Sequence, residues 1–280
     1  MSRIITAAIA LPILISSILV PWLLPLFVVL AGAAITRGLY EFYVLSAKQG
    51  AKANASAGYL GGAALFTIFY FASPSDKPRL DVRTIVLTVV VLTIGTLVAA
   101  ALKGAPFNKL IVSSAATILG VLYVVFLGGH LVAIRTGFEQ QLAAHLLSFF
   151  FLVLMGADTG AYYVGRAFGK HKLAPTISPG KTWEGVAGGI IAGLAFATLA
   201  HFWFFRELPL KLALPLAAVM VVLGILGDLT ESALKRGAGA KDAANILPGH
   251  GGILDRLDSL LFNAPLLYYF ADLYFGARWF

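Results

Sequence analysis

The chain has 280 residues, 59% hydrophobic and 12% charged, with a mean hydropathy of +0.88; these values exclude a water-soluble globular domain and fit a polytopic membrane protein. It contains no cysteine, which excludes disulfides, thiolate catalysis and cysteine-ligated zinc or iron–sulfur centres. The net charge of +8 sits in short loops between apolar runs, so anionic lipid headgroups and nucleotide phosphates are the expected partners and nucleic acid is not.

In chain order, the apolar runs predict an all-α polytopic integral membrane protein of about nine transmembrane helices. They lie near residues 4–20, 22–45, 57–72, 83–102, 109–127, 142–165, 184–205, 210–231 and 257–277. A span needs roughly 20 apolar residues, and a bilayer offers no partner to free backbone groups, so helices are the default. The first run follows a single basic residue, Arg3, and leads past Pro21 straight into the second. It reads as a retained span rather than a cleaved signal. Pro12, Pro21 and Pro25 mark kinks or a turn. Arg37 and Glu41, four residues apart, suit a structural ion pair, and residues 128–141 (GGHLVAIRTGFEQQ) read as a loop.

Residues 1–140 thus form an N-terminal set of about five helices whose loops carry little chemistry. Residues 141–280 form about four helices with polar loops at 166–183 and 232–256. With the N-terminus inside, fourteen Lys and Arg fall on that side and seven on the other. The bias places both polar loops in the cytoplasm, as in a bacterial-type cytoplasmic membrane. The second half also holds Asp158, Glu184, Asp228, Glu231, Asp242, Asp255 and Asp258 inside or beside apolar runs. Ionisable groups there are costly and face a bundle interior or a wet cavity. The active site is therefore expected among the C-terminal helices.

Four stretches carry the chemistry. In MGADTGAYYVGRAFGKHK (155–172), Asp158 shares a helical face with Tyr162 and Arg166, while Gly156, Gly160, Gly165 and Gly169 allow close approach. The plainer reading is a packing clamp of Asp158 on Tyr162 or Arg166. ISPGKTWEG (177–185) is not a Walker A loop, because Pro175 stands where a glycine is needed. It still suits an anion: Ser178 could cap a helix beginning near Pro179, with Lys181 beside the free N–H groups. Beyond it, Gly185, Gly189 and Gly193 form a stripe for tight packing. In GDLTESALKR (227–236), Asp228, Glu231 and Lys235 share one face. Asp255 and Asp258, three apart in LDRLD, would repel unless a cation joined them. With Asp228 from a facing helix they could hold Mg²⁺, which takes hard oxygen ligands together with waters and phosphate oxygens. His250 is ambiguous, and His130, His145, His171 and His201 show no partner spacing and receive no role.

Ser232 to Asp258 reads S-x-L-K-R-x4-K-D-x-A-x2-L-P-x-H-G-G-I-x-D-R-L-D. This resembles the signature of the phosphatidate cytidylyltransferases, or CDP-diacylglycerol synthases, and ADTGAYYVGR and SPGKTWEG resemble that family's upstream blocks in the same order. The resemblance covers about 60 residues of the second half and implies a membrane-embedded, homodimeric enzyme making CDP-diacylglycerol and pyrophosphate from CTP and phosphatidic acid. Carried over by residue, it implies metal-site roles for Asp228, Asp255 and Asp258. It implies nucleotide or pyrophosphate contacts for Lys235, Arg236, Lys241, Ser178, Lys181 and Thr182. Asp158, Glu184, Asp242, His250 and Arg256 belong to the same motifs without fixed roles. A second, monovalent cation such as K⁺ beside Mg²⁺ is implied only by the resemblance. The chemistry agrees: the lipid phosphate is already ionised, so positioning and charge neutralisation matter more than a strong base. The rival readings are a CTP-dependent lipid kinase of the polyprenol type, which attacks the γ-phosphorus, and an ion-coupled transporter, which would place acids near the midplane of repeated halves.

Overall fold

The computed structural model describes residues 2–71, 82–102, 107–240 and 252–276. Its helices are α1 (Ser2–Leu19), α2 (Leu24–Lys48), α3 (Ala55–Phe71), α4 (Val82–Leu102), α5 (Leu110–Gly120), α6 (Leu127–Gly137), α7 (Gln140–Phe168), α8 (Trp183–Trp203), α9 (Leu210–Gly237) and α10 (Leu254–Tyr274). Between α7 and α8 lies a small antiparallel hairpin, β1 (Lys172–Ala174) and β2 (Ser178–Thr182), in which Lys172 pairs with Thr182 and Ala174 with Ser178. The expectation of an all-helical membrane protein holds apart from this hairpin.

Six helical segments among the described residues are long and apolar enough to cross a membrane: Pro21–Lys48, Val82–Leu102, Phe107–Gly137, Gln140–Phe168, Trp183–Trp203 and Leu210–Gly237. The apolar parts of α1 (Ala10–Leu19) and α3 are shorter, and α10 carries Asp255, Arg256, Asp258 and Asn263 among its apolar residues. Large apolar side chains such as Trp22 (78% exposed), Leu102 (82%) and Ile111 (76%) point outward. Acyl chains, not water, are the solvent such a surface requires.

The stretch 128–141 departs from its reading as a loop. α5 continues through a π-helical stretch, Val121–Phe126, into α6 and ends only at Gly137. Its glycines serve contact rather than turning: a Cβ on Gly128 would lie 3.1 Å from Leu261, and one on Gly129 would meet the Phe69 ring. His130 is fully buried there, its Nδ1 2.8 Å from Phe126 O. The real break is at Phe138, and Glu139 caps α7 by accepting from the backbone N–H groups of Gln141 and Leu142 at 3.1 Å.

Helices α7 and α8 make the closest pair, and their small residues explain why. A Cβ on Gly160 would stand 2.8 Å from Gly188 O and closer still to the Ala192 methyl; one on Gly188 would overlap Val164. Gly185 and Gly193 are shut in likewise, against Ala161 O and Val221, so the stripe read from sequence is a packing seam. On the other side of the bundle α10 lies against α2 and α6: Leu257 meets Gly38, and Leu261 meets Gly128. Gly160→Val should force α7 and α8 apart and cost about 1–3 kcal/mol by overpacking. The expected readout is a lower unfolding midpoint of the detergent-solubilised protein; an unchanged midpoint would contradict the seam.

Candidate active site

Five helix ends and the hairpin meet at one end of the bundle. Arg236 Nε on α9 donates to Ile177 O in the hairpin turn at 3.2 Å, and Gln49 Nε2, just past α2, donates to Leu234 O at 3.0 Å. Trp183 N donates to His171 O at 3.0 Å, closing the hairpin onto the start of α8.

The hairpin corrects the expected cap. Ser178 does not start a helix; it opens β2, and α8 begins at Trp183 with Thr182 as its N-cap. The buried Thr182 hydroxyl accepts from Gly185 N at 3.1 Å. The reason is Pro179 followed by Gly180, which carries the chain extended until Thr182 can cap. Glu184, in the first turn of α8, accepts from Lys170 N at 3.1 Å, from His171 N, and from His171 Nδ1 at 2.6 Å. It fastens the hairpin to α8, so His171, given no role in the sequence, has a partner thirteen residues away.

Two charged groups form beneath the hairpin. In the first, Lys181 Nζ lies 2.5 Å from Asp228 Oδ2. The charges of Asp228 and Lys181 also act on Asp158, and those of Asp228, Asp158 and Lys181 act on Asp258. Asp158 of α7 and Asp258 of α10 thus lie within electrostatic reach of the Lys181–Asp228 pair. Gly227 allows this: a Cβ there would collide with Asp258 O, so the α9 and α10 backbones touch beside Asp228. Asp158 is exposed, and Asp258 is half-buried. Arg166 Nη1 donates to the Tyr162 hydroxyl at 3.2 Å, and Asp158 makes no hydrogen bond or ion pair with either among the described residues.

In the second group, Lys235 Nζ stands 2.5 Å from both Glu231 Oε2 and Asp255 Oδ1. Asp255 Oδ2 accepts from Gly252 N at 2.6 Å. Glu231 is fully buried and Lys235 nearly so, which makes this an interior ion-pair network. Asp255 thus faces Lys235, whereas Asp228 and Asp258 face Asp158 and Lys181. Arg256 is exposed on the first turn of α10. Lys241, Asp242 and His250 lie outside the described residues.

Among the described residues, no three Asp, Glu or His side chains stand close enough to enclose an ion by themselves. Mg²⁺ does not require that: it commonly takes one or two carboxylates and fills its octahedron with waters and phosphate oxygens. The hard-oxygen donors of Asp228 and Asp258 fit that chemistry. Two surface concavities, about 300 Å³ beside Leu234 and about 360 Å³ beside Arg37, lie away from the carboxylates. It is the convergence of charge, not concavity, that marks the site.

One contributor was invisible in the sequence. The Arg37–Glu41 pair forms at 3.3 Å as expected, but the fully buried Glu41 carboxylate also accepts from Ile253 N at 3.1 Å and Leu254 N at 2.8 Å. A residue of α2 therefore caps α10, whose first two turns carry Asp255 and Asp258. An acid alone in an apolar run was the available signal.

The cytidylyltransferase family profile matches residues 1–274. The chain is similar to the phosphatidate cytidylyltransferase of Haemophilus influenzae, 47% identical over 129 residues, covering 45% of each chain. It is 50% identical over 123 residues to that of Bacillus subtilis (44% of this chain, 46% of the relative) and 46% identical over 142 residues to that of Pseudomonas aeruginosa (50% and 51%). The chain spans about half the length of the curated relatives it matches. With the family match running through all but the last six residues, this chain belongs to the cytidylyltransferase family.

Proposed function

We propose that the protein is a membrane-embedded nucleotidyltransferase that converts CTP and phosphatidic acid to CDP-diacylglycerol and pyrophosphate. The observation that carries this reading is the Lys181–Asp228 pair, within electrostatic reach of Asp158 and Asp258, beside the Lys235 network at one end of an apolar bundle. That arrangement offers a cation platform and ammonium groups side by side, which a triphosphate needs and a neutral lipid substrate does not.

An ionised oxygen of the lipid phosphate attacks the α-phosphorus of CTP. The new P–O bond forms as the α–β bridging bond breaks, and its electron pair leaves on pyrophosphate. The nucleophile carries its charge already, so no side chain has to remove a proton. Lys181, seated on Asp228, is placed to turn from the carboxylate to a phosphate oxygen. Arg236 and Lys235 border the same end and offset charge on the departing pyrophosphate. Asp228 and Asp258, with Asp158 beside them, would hold Mg²⁺, which supplies Lewis-acid neutralisation of phosphate oxygens when bound. Asp255 holds Lys235 in place and reaches the platform through it.

The remaining features of the reading are a homodimer and an orientation with the hairpin, the α9 end and the α10 start in the cytoplasm. The Lys and Arg bias supports that orientation.

CTP labelled separately in the base and the γ-phosphate, incubated with protein, Mg²⁺ and phosphatidic acid, should deliver the cytidine label to lipid and the γ-label to pyrophosphate. Transfer of γ-label to a lipid alcohol would establish a kinase instead. Asp228→Asn is expected to lower kcat by about 100-fold or more while the unfolding midpoint moves little, because the carboxylate is 40% exposed. Lys235→Ala should behave differently. It leaves the buried Glu231 without its cation, and breaking a buried pair costs about 3–5 kcal/mol. Adding Glu231→Gln should restore most of that stability and none of the turnover; recovered turnover would remove Lys235 from the mechanism.

A further inference from the structure

A groove of about 300 Å³ runs between α2 and α5 at the end of the bundle that carries the candidate site. Its walls are α2 from Phe42 to Gln49 and α5 from Ile111 to Leu119, and Leu234 of α9 completes the lining. At 1.5 Å per residue the α2 wall is about 10 Å long, and both helices belong to segments of membrane length. Only Ser46 and Gln49 among the lining residues are polar. Leu119, at the inner end, is 54% exposed, so the groove opens sideways to acyl chains.

The mouth of the groove is basic. Lys48 precedes Gln49, Lys52 follows the lining residue Ala51, and Lys109 stands three residues before Val112. Ser113 Oγ donates to Lys52 O at 2.6 Å and Asn54 N donates to Thr117 Oγ1 at 2.8 Å, which holds the loop after α2 against α5. All three lysines are exposed, and none makes an ion pair among the described residues. Residues 44–54 and 107–119 contain no Asp or Glu. Uncompensated cations above an apolar groove match a phosphate headgroup above an acyl chain. A second copy of the chain, seated symmetrically, would set its own lysines against these, and like charges across an interface are penalised.

The groove borders the candidate site without opening onto its carboxylates. Gln49 Nε2 donates to Leu234 O at 3.0 Å, which sets the mouth level with the end of α9. Leu234 lines the groove, and the next residue, Lys235, pairs with Glu231 and Asp255. Phe42 lines it too, and the residue before, Glu41, caps α10. A molecule in the groove therefore touches α2 and α9, which hold the site, and stays apart from the reacting groups.

We propose that this groove is an accessory lipid site. One acyl chain of an anionic phospholipid fills it, the phosphate rests among Lys48, Lys52 and Lys109, and this lipid is not the one that reacts. Its bound chain clamps α2 and α5 to the end of α9, so the composition of the leaflet reaches the helices behind the site.

The test offers the detergent-purified protein phosphatidylglycerol or phosphatidylcholine with the same acyl chains. Retained lipids are counted by native mass spectrometry, and the unfolding midpoint is recorded with each lipid. Wild type should retain phosphatidylglycerol in preference to phosphatidylcholine and unfold at a higher temperature with it. A lysine near an anionic headgroup is worth about 5-fold in affinity. Lys52→Gln should therefore reduce the preference by about 5-fold, and the triple change of Lys48, Lys52 and Lys109 to Gln should abolish most of it. Ala115→Trp, on the exposed wall of the groove, should block retention while the lipid-free midpoint stays at the wild-type value. Equal retention of the two lipids by wild type overturns the proposal. So does an unchanged preference in the triple variant or in Ala115→Trp. A change of subunit number in Ala115→Trp with the lipid preference intact also overturns it and assigns the groove to a second copy. Lipid counts and midpoints are independent of the labelled-CTP experiment, so the site stands or falls apart from the reaction.

Discussion

The start of the last helix hangs on a carboxylate from the second. Glu41 is wholly enclosed, and its oxygens take the N–H groups of Ile253 and Leu254 while Arg37 balances its charge. The first N–H groups of any helix lack internal partners, and in an apolar bundle water cannot reliably supply them. Capping from α2 thus settles the depth and rotation of α10. Those two variables decide where Asp255 and Asp258 stand relative to α9. The N-terminal half, which carries few motifs, is in this way a determinant of the site's geometry.

What α10 is held against is equally constrained. Gly227 lets the α9 backbone touch Asp258 O, and so brings two carboxylates to a separation at which they repel. Near a protein surface, unit charges 4 Å apart interact by about 4 kcal/mol, and desolvation adds to the cost. Lys181, from β2, offsets part of it through Asp228. Asp158 adds a third carboxylate within electrostatic reach. Both groups hold more carboxylates than ammonium groups among the described residues, and in the neighbouring one Glu231 and Asp255 share Lys235. Asp255 and Asp258, three residues apart on α10, thus enter two different groups of charges.

The helices were legible because apolar runs of membrane length leave the backbone little choice, and the tight α7–α8 seam was legible because small residues at four-residue spacing have one obvious use. Local patterns failed where a contact crosses the chain. Ser178 looked like a cap because Pro179 and Lys181 follow it, but Thr182 is the residue whose hydroxyl reaches an N–H. Glycines at 128 and 129 looked like a turn and instead admit Leu261 and Phe69. His171 and Glu184 are joined across a hairpin that shows no alternating pattern in sequence. Of the carboxylates expected to act together, Asp255 and Asp258 share a face of α10 and Asp228 comes from α9, yet Asp255 pairs with Lys235 and Asp228 with Lys181. Spacing along a helix specifies a face, and the partner on the facing element decides which atoms meet.

The π-helical stretch is the irregular turn in an otherwise continuous span from Leu110 to Gly137. A regular helix from Leu110 to Gly137 would satisfy the backbone and span the membrane equally well. The irregular turn has a backbone cost that nothing in its apolar side chains repays, since Val121, Val124 and Val125 are buried and would be content on any inward face. Tyr123 is the one member with a polar side-chain atom, and that atom is buried without a hydrogen-bond partner among the described residues. Irregular backbone at membrane depth is tolerated where it borders a polar interior rather than lipid. The Tyr123 ring lies beside Phe42, the neighbour of Glu41 in α2, so the helices of the N-terminal half bring both the cap of α10 and a buried phenol into the bundle interior.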